Sequence, residues 1–218
     1  MKYDVVIIGS GLGGLECAHI LSKAGKRVLV LEKEAQPGGC VQSYRRNGLT
    51  FDTGFHYVGG LEEGQSLHAA FNMLGLMALP WKKLDDAFDR ILIGEEEFSF
   101  MQGYENFREN LQQHFPHERE ALQQYVQLLK QTEQTQLELL NPESASAPLS
   151  LFETGAWQYL THTFHNSMLI NVLSATSLKM ELRKETLPLF TFLHGNASFI
   201  ESSWRLKGCL LYTSPSPR

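Results

Sequence analysis

Apolar and polar residues follow several distinct rhythms along this chain, and each rhythm predicts an element. Asp4-Val5-Val6-Ile7-Ile8 is a continuous apolar run rich in β-branched residues that stops at Gly9. Such a run predicts a strand buried on both faces of a parallel sheet. From Leu12 to Ala24 the apolar positions Leu15, Ala18 and Leu21 share one helical face, and Gly25 supplies a stop before Arg27-Val28-Leu29-Val30-Leu31 begins a second strand. The three pieces make a βαβ unit. Pro37-Gly38-Gly39 marks a loop, and Asn47-Gly48 a turn ahead of Leu49-Thr50-Phe51-Asp52. Ser66 to Leu76 has the pattern of a short helix. Phe88 to Ile93 and Phe98 to Met101 flank Gly94 and three acidic residues, as in an antiparallel hairpin.

Pro116 suits the first turn of a helix whose apolar stripe passes through Leu122, Val126 and Leu129 and continues at Leu137 and Leu140. Its Gln/Glu-rich face is expected to be solvated. Asn141 to Pro148 is a polar linker with two prolines, and Trp157 to Leu182 is mostly helical and rich in aromatics. Leu187 to Trp204 carries Phe190, Phe192, Phe199, Ile200 and Trp204 around Gly195, which predicts an apolar wall of strand or loop. The last ten residues, Cys209 to Arg218, replace this globular pattern with a Ser/Pro-rich tail. That tail matches, residue for residue, the translation of a transposase-type sequencing-library adapter. It is expected to be non-native, with the coding sequence cut after Gly208.

Composition narrows the function classes. With 218 residues, 43% hydrophobic and 20% charged, the chain has the make-up of an ordinary soluble globular protein. A formal net charge of -5 gives no electrostatic basis for nucleic-acid binding or for attraction to an anionic membrane. Met1-Lys2-Tyr3-Asp4 runs straight into the first strand with no signal-peptide layout, so a cytoplasmic location is expected. No stretch reaches the roughly 18 consecutive apolar residues of a spanning helix, which leaves peripheral membrane contact open. Cys17, Cys40 and Cys209 have neither zinc-ligand spacing nor the density of a disulfide framework, and reduced thiols are expected.

The chemistry concentrates at Gly9-Ser10-Gly11-Leu12-Gly13-Gly14. Glycine is needed for a sharp turn at Gly9, for close approach to a pyrophosphate at Gly11 and for packing helix on strand at Gly14, while Gly13 eases approach further. The helix that follows aims its free N-H groups and positive end at the same place. A G-x-G-x-x-G string alone also describes any tight strand-to-helix turn, and the complete βαβ unit around it is what makes it a phosphate site. Glu32, at the end of the second strand, stands at the usual distance for a carboxylate that accepts hydrogen bonds from an adenosine ribose, which argues against a phosphorylated ribose. Lys33 is grouped with it as a cofactor-side residue, although Lys33 and Glu34 also fit plain surface charges. NAD and FAD are not separated at this point, because both contain ADP.

The following segment separates them. Gly38-Gly39-Cys40-Val41-Gln42-Ser43, with Gly48-Leu49-Thr50-Phe51-Asp52-Thr53-Gly54-Phe55-His56-Tyr57-Val58-Gly59-Gly60, resembles the phytoene desaturase, carotenoid isomerase and retinol saturase group of flavoproteins. The retinol saturase branch is the most similar. The resemblance covers Tyr3 to Gly60 strongly and Phe98 to Pro116 and Ser198 to Gly208 more loosely. It implies FAD, with Gly38 and Gly39 along the diphosphate and ribityl chain and the Asp52-Thr53-Gly54 stretch leading towards the isoalloxazine. Ser43, Asp52 and Gly54 are carried over as cofactor-binding residues on that basis. Cys40 departs from the arginine usual at this position in related amine oxidases, and is either a small packed cysteine or a redox thiol. His56, Tyr57 and His194 either face flavin or substrate or serve as hydrogen-bonded structural groups.

The fold class these features imply is α/β: a Rossmann-like FAD/NAD(P)-binding domain, incomplete, with an inserted α+β substrate region. The expected boundaries are 1–80 for the N-terminal part of the FAD-binding domain, 81–208 for the substrate region and 209–218 for the tail. The resemblance implies hydride transfer between flavin and a carbon-carbon bond of an apolar polyene of carotenoid or retinoid kind. The 218-residue chain by itself is expected to be inactive. Two alternatives stay open: an amine oxidase-like flavoprotein, and a non-catalytic carrier of lipid or prenylated partners on the same fold. No catalytic residue is legible.

Overall fold

A computed structural model describes residues 2–54, 56–139, 149–181 and 183–207, with the side chains at 50 and 137–139 excepted. Leu140, the linker Asn141 to Pro148, Phe55, Leu182 and the tail Cys209 to Arg218 lie outside the described residues, as does the side chain of Leu137. In chain order the elements are β1 (Val5–Ile8), α1 (Leu12–Lys23), β2 (Val28–Leu31), β3 (Ser43–Arg46), β4 (Leu49–Asp52), β5 (Val58–Gly59), α2 (His68–Leu74) and β6 (Trp81–Lys83). They continue with β7 (Ala87–Ile93), β8 (Glu96–Met101), α3 (Tyr104–His114), α4 (Arg119–Leu139), α5 (Leu149–Glu153), α6 (Ala156–Thr163), α7 (Ser167–Ser174), α8 (Leu189–Glu201) and β9 (Ser203–Leu206). The chain divides into two compact units, one made of Met1–Val58, Ala70–Lys82 and the described residues from Arg205, the other of Gly59–Ala69 and Lys83–Trp204.

In the first unit β1 and β2 pair in parallel, from Val5 opposite Val28 to Ile8 opposite Leu31. Asp4 ties their starts together: its N-H donates to the Arg27 carbonyl at 2.9 Å, and its carboxylate accepts from the Arg27 N-H at 2.8 Å. Helix α1 lies on the Ile7 side, as the 3.5 Å approach of a Cβ built on Gly14 to Ile7 Cγ2 shows. Burial on both faces, expected from the unbroken apolar run, is not found. Val6 is 54% exposed and Ile8 88%, because this sheet has only two strands among the described residues and α1 covers one of its faces. The expected Asn47-Gly48 turn is present. Both residues have positive φ, 52° and 79°, the two-residue geometry that matches strand twist, and β3 pairs with β4 with Tyr44 stacked on Phe51 at 5.3 Å.

The second unit contains the large apolar core. Hairpin β7–β8 turns at Gly94 (φ 63°), and its Phe98 and Phe100 pack with Phe107, Leu122, Leu129 and Phe192. Helices fall where the sequence pattern puts them around Pro116 to Leu139 and Trp157 to Ser174. Leu187 to Trp204 is the exception: the expected strand or loop is mainly helix α8. Leu189, Phe190, Phe192, Leu193, Asn196, Ala197 and Ile200 are all buried, so this helix is enclosed on most sides and shows no amphipathic stripe for a sequence to display. Gly195 fits inside it because Met180 fills the space a side chain would need.

Four buried polar side chains, Gln102, Glu118, Thr176 and Asn196, fix the second unit's connections. Gln102 donates to the Leu84 and Asp85 carbonyls, at 2.8 Å each, and accepts from the Ser203 N-H at 2.9 Å. Glu118 accepts from the N-H groups of His165 and Asn166 at 2.8 and 2.5 Å. Asn166 in turn caps α7 by accepting from Met168 and Leu169. Thr176 donates to Asn196 at 2.7 Å.

Candidate functional site

The Gly9 to Gly14 turn is built by three glycines with different duties. Gly9 has φ 97°, a left-handed conformation that favours glycine, and donates its N-H to the Leu31 carbonyl at 2.7 Å. At Gly14 a Cβ would sit 2.1 Å from the Gly9 carbonyl oxygen, so only glycine lets α1 lie this close to the end of β1. Gly11 is the N-cap of α1 with extended backbone (φ -66°, ψ 176°), and a Cβ there meets nothing within 4 Å. Its value is therefore the clear space before the helix end rather than an unusual backbone angle. Gly11 gives no side-chain cap, and the first turn of α1 has no acidic residue. The N-H groups of that turn have no intrahelical acceptors, and no carboxylate within the turn itself offsets the positive end of the dipole.

Ser10 organises the surroundings. It is buried, and Glu32 Oε2 accepts from both its N-H (2.8 Å) and its hydroxyl (2.5 Å). The buried Gly38 donates its N-H to the Ser10 carbonyl at 3.0 Å and stands 3.3 Å from the hydroxyl oxygen. Glu32 Oε1 accepts from the Glu34 N-H at 3.0 Å. The Ser10 hydroxyl, then the Glu34 N-H, hold the Glu32 carboxyl down to about 2, so it is ionised throughout the physiological range. Lys33 pairs only with Glu34, at 3.5 Å, with both side chains mostly exposed.

The double-glycine loop abuts the turn. Gly38 (φ 114°) and Gly39 (φ 54°) both take left-handed angles, and a Cβ on Gly39 would come within 3.0 Å of Gly11 Cα. Thr53 closes the other side: its hydroxyl bonds the Cys40 and Gln42 carbonyls at 2.9 Å each, and a Cβ on Gly54 would meet the Cys40 oxygen at 3.3 Å. Ser43 and Asp52 face each other in the β3–β4 register. Cys40 is exposed rather than packed, because it sits in the 3-10 turn Gly39–Val41 at the surface. His56 is exposed.

His194 lies in the second unit, beside a buried carboxylate. Its Nδ1 lies 3.0 Å from Glu133 Oε1, an ion pair by distance, and the Glu133 side chain is only 4% exposed. Glu133 was expected on a solvated face, but it follows Leu129 by four positions and Val126 by seven, which sets it on the buried stripe of α4. That spacing is the signal that could have found it. Glu201 and Tyr104 complete the cluster. Burial, then the Glu133 carboxylate and more weakly Glu62, push the Glu201 carboxyl up to about 7, with the Tyr104 hydroxyl and His194 acting the other way. Burial and both carboxylates also push the Tyr104 hydroxyl up.

A carboxyl raised on folding holds its proton more tightly in the folded chain. Its stabilising contribution is complete below the ordinary 4.5 and is lost as pH climbs to about 7. The urea midpoint should therefore fall over that window by an amount that disappears in Glu201→Gln. An identical pH slope in the variant would exclude Glu201 as its source.

Among the described residues no helix is long and apolar enough to cross a membrane, and no cluster of three or more His, Cys, Asp or Glu suits a metal ion. Residues 7–74 match the family model of an NAD(P)-binding Rossmann-like domain. Human all-trans-retinol 13,14-reductase is 41% identical over 133 residues, which cover 59% of this chain and 22% of the reductase. The chloroplastic prolycopene isomerase 2 of an Oncidium hybrid cultivar is 32% identical over 126 residues, 57% of this chain and 22% of that protein. The chain thus spans about a fifth of the length of the curated relatives it matches. Cyclohexylamine oxidase from Brevibacterium oxydans shares the fold, with a TM-score of 0.57 over 97% of this chain and 48% of that one at 15% identity. The chain thus has an α/β dinucleotide-binding fold of Rossmann-like type and, over the part matched, is similar in sequence to the all-trans-retinol 13,14-reductases and prolycopene isomerases.

Proposed function

We propose that this protein binds the ADP portion of FAD on the Gly9–Gly14 turn and acts as an oxidoreductase on a carbon-carbon bond of an apolar polyene, retinoid or carotenoid in kind. The observation that carries the cofactor side is the open start of α1, with free N-H groups, no side-chain cap and no carboxylate in its first turn. A diphosphate supplies the acceptors and the negative charge that such an end lacks. By contrast α7 has both its early N-H groups satisfied by Asn166.

In this reading Gly9, Ser10, Gly11, Leu12, Gly13 and Gly14 hold the diphosphate and Glu32 the adenosine ribose. Gly38, Gly39, Ser43, Asp52 and Gly54 hold the remainder, and Lys33 stands beside Glu32. Residues 1–80 then form the cofactor side and 81–208 the substrate side. Glu32 Oε2 is taken up by the Ser10 N-H and hydroxyl, while Oε1, which accepts from the Glu34 N-H, is the oxygen that offers a lone pair to a ribose hydroxyl. When bound, the flavin supplies hydride transfer, and the chain's part is to bind, orient and exclude water. The names of the relatives, a retinol reductase and a prolycopene isomerase, support a polyene substrate.

The full-length protein, rather than this 218-residue chain alone, is expected to show a flavin absorption band. Glu32→Ala should weaken FAD retention by roughly tenfold while leaving the far-UV spectrum unchanged, because a charged acceptor is lost and the Ser10 N-H and hydroxyl lose their partner. Unchanged flavin occupancy in that variant removes Glu32 from the site. The substrate is tested by mixing the reduced protein anaerobically with all-trans-retinol, which should reoxidise the flavin as a double bond takes up two electrons and two protons, or with prolycopene, whose redox-neutral isomerisation is followed in the polyene's own absorption spectrum. Bleaching of the oxidised flavin by cyclohexylamine, with no response to polyenes, would establish an amine oxidase instead. A colourless protein would leave the carrier alternative standing.

A further inference from the structure

The second unit contains a groove of about 270 Å³ whose floor is Ala156, Leu160, Leu187 and Phe192, all buried. At its mouth the Lys184 ammonium stands 4.6 Å over the ring of Trp157. No carboxylate among the described residues lies within ion-pair distance of Lys184, so its attachment to the indole is its only pairing. The two serine hydroxyls on the rim are committed elsewhere, Ser174 to the Ile170 carbonyl at 2.6 Å and Ser177 to the Ser174 carbonyl at 2.5 Å. Lys184 is thus a cation held at the edge of an apolar hollow with no carboxylate in ion-pair reach among the described residues.

From this we infer that the groove is a binding site for a small amphipathic carboxylate, an aliphatic chain or ring that fills the floor and ends in an anionic head on Lys184. The volume is near the lower bound of about 300 Å³ for small-ligand pockets, which suits a short chain and not a whole carotenoid. Cation-π attachment restrains the ammonium without neutralising it, so an incoming carboxylate gains a charge-assisted hydrogen bond while paying little to order the lysine. Glu181 also borders the groove, with one oxygen accepting the Arg183 N-H at 3.1 Å. It disfavours a second negative charge on the ligand and sets the competing possibility, an amine head.

The groove is tested by calorimetric titration of the intact protein with decanoate, 1-decanol and decylamine, three probes with one tail and different heads. Decanoate is expected to bind at least about tenfold tighter than the other two, a step of 1.4 kcal/mol. Added salt should weaken decanoate and leave decanol alone. Lys184→Gln should reduce decanoate to the level of decanol, and Lys184→Arg should retain the preference. Equal binding of decanoate and decanol, tighter binding of decylamine, an unaffected Lys184→Gln or no binding of any probe would each overturn the assignment. The salt comparison needs no variant, so the test survives a variant that fails to fold. No arm involves flavin, and failure would leave the proposed oxidoreductase reading untouched.

Discussion

Gly14→Ala is expected to unseat α1 from β1 and to abolish dinucleotide retention. The added methyl would lie 2.1 Å from the Gly9 carbonyl oxygen and 3.2 Å from its carbon, with Ile7 Cγ2 at 3.5 Å. The two nearest atoms are backbone, so no rotamer change relieves the clash. Overpacking that side chains can absorb costs about 1–3 kcal/mol, and here the helix itself must move, so a loss of about 3 kcal/mol or more is expected in chemical denaturation. Gly11→Ala is the contrast. Its backbone is extended and its Cβ meets nothing within 4 Å, so it should keep the fold and lose only affinity for FAD. Equal stability of the two variants would show that Gly14 does not set the helix-to-strand distance.

Gly59→Ala should do comparable damage in the second unit. A Cβ at Gly59 would be 2.2 Å from the Ser198 carbonyl carbon, 2.3 Å from its oxygen and 2.6 Å from the Phe199 nitrogen. These are backbone atoms of α8, the helix enclosed by the core, which cannot retreat without opening the packing of Phe192, Leu193 and Ile200. A loss of about 3 kcal/mol or more, with collapse of the near-UV signal before the far-UV signal, is the expected result. Gly60→Ala offers a milder comparison, since its nearest atom is the Ser66 hydroxyl at 2.9 Å, although φ 68° strains any side chain there. A Gly59→Ala protein as stable as the parent would mean that α8 packs less tightly on Gly59 than the distances require.

The part of the molecule legible in sequence is the part governed by local rules. Gly9 and the Asn47-Gly48 turn need particular backbone angles, Gly14 needs a missing side chain and the strands need an apolar run, and each requirement leaves a mark in the string. The second unit obeys non-local rules. Helix α8 was legible only as an apolar segment, because a helix buried on most sides has lost the 3.6-residue alternation that identifies a helix. Glu133 was misassigned because its neighbours in sequence are the polar Thr132 and Gln134, whereas its neighbour in space is His194 on another helix. Of the expected aromatic wall, Phe192 alone borders the groove, while Phe190 stacks on Phe152 at 4.6 Å. Which side of an aromatic helix meets core and which meets cavity depends on helices far away in the chain.

The bonds that assemble the dinucleotide turn and those that close the second unit are also set apart in time. Glu32 follows Ser10 by 22 positions, and Gly38 follows it by 28. A ribosome adding about 5–20 residues per second supplies both partners within roughly 1–6 seconds. Gln102 instead waits for the N-H of Ser203, 101 positions further on, or roughly 5–20 seconds. During that interval all the partners of the Ser10, Glu32 and Gly38 bonds have already been synthesised, so the proposed phosphate cradle is free to assemble before the partner that Gln102 needs exists.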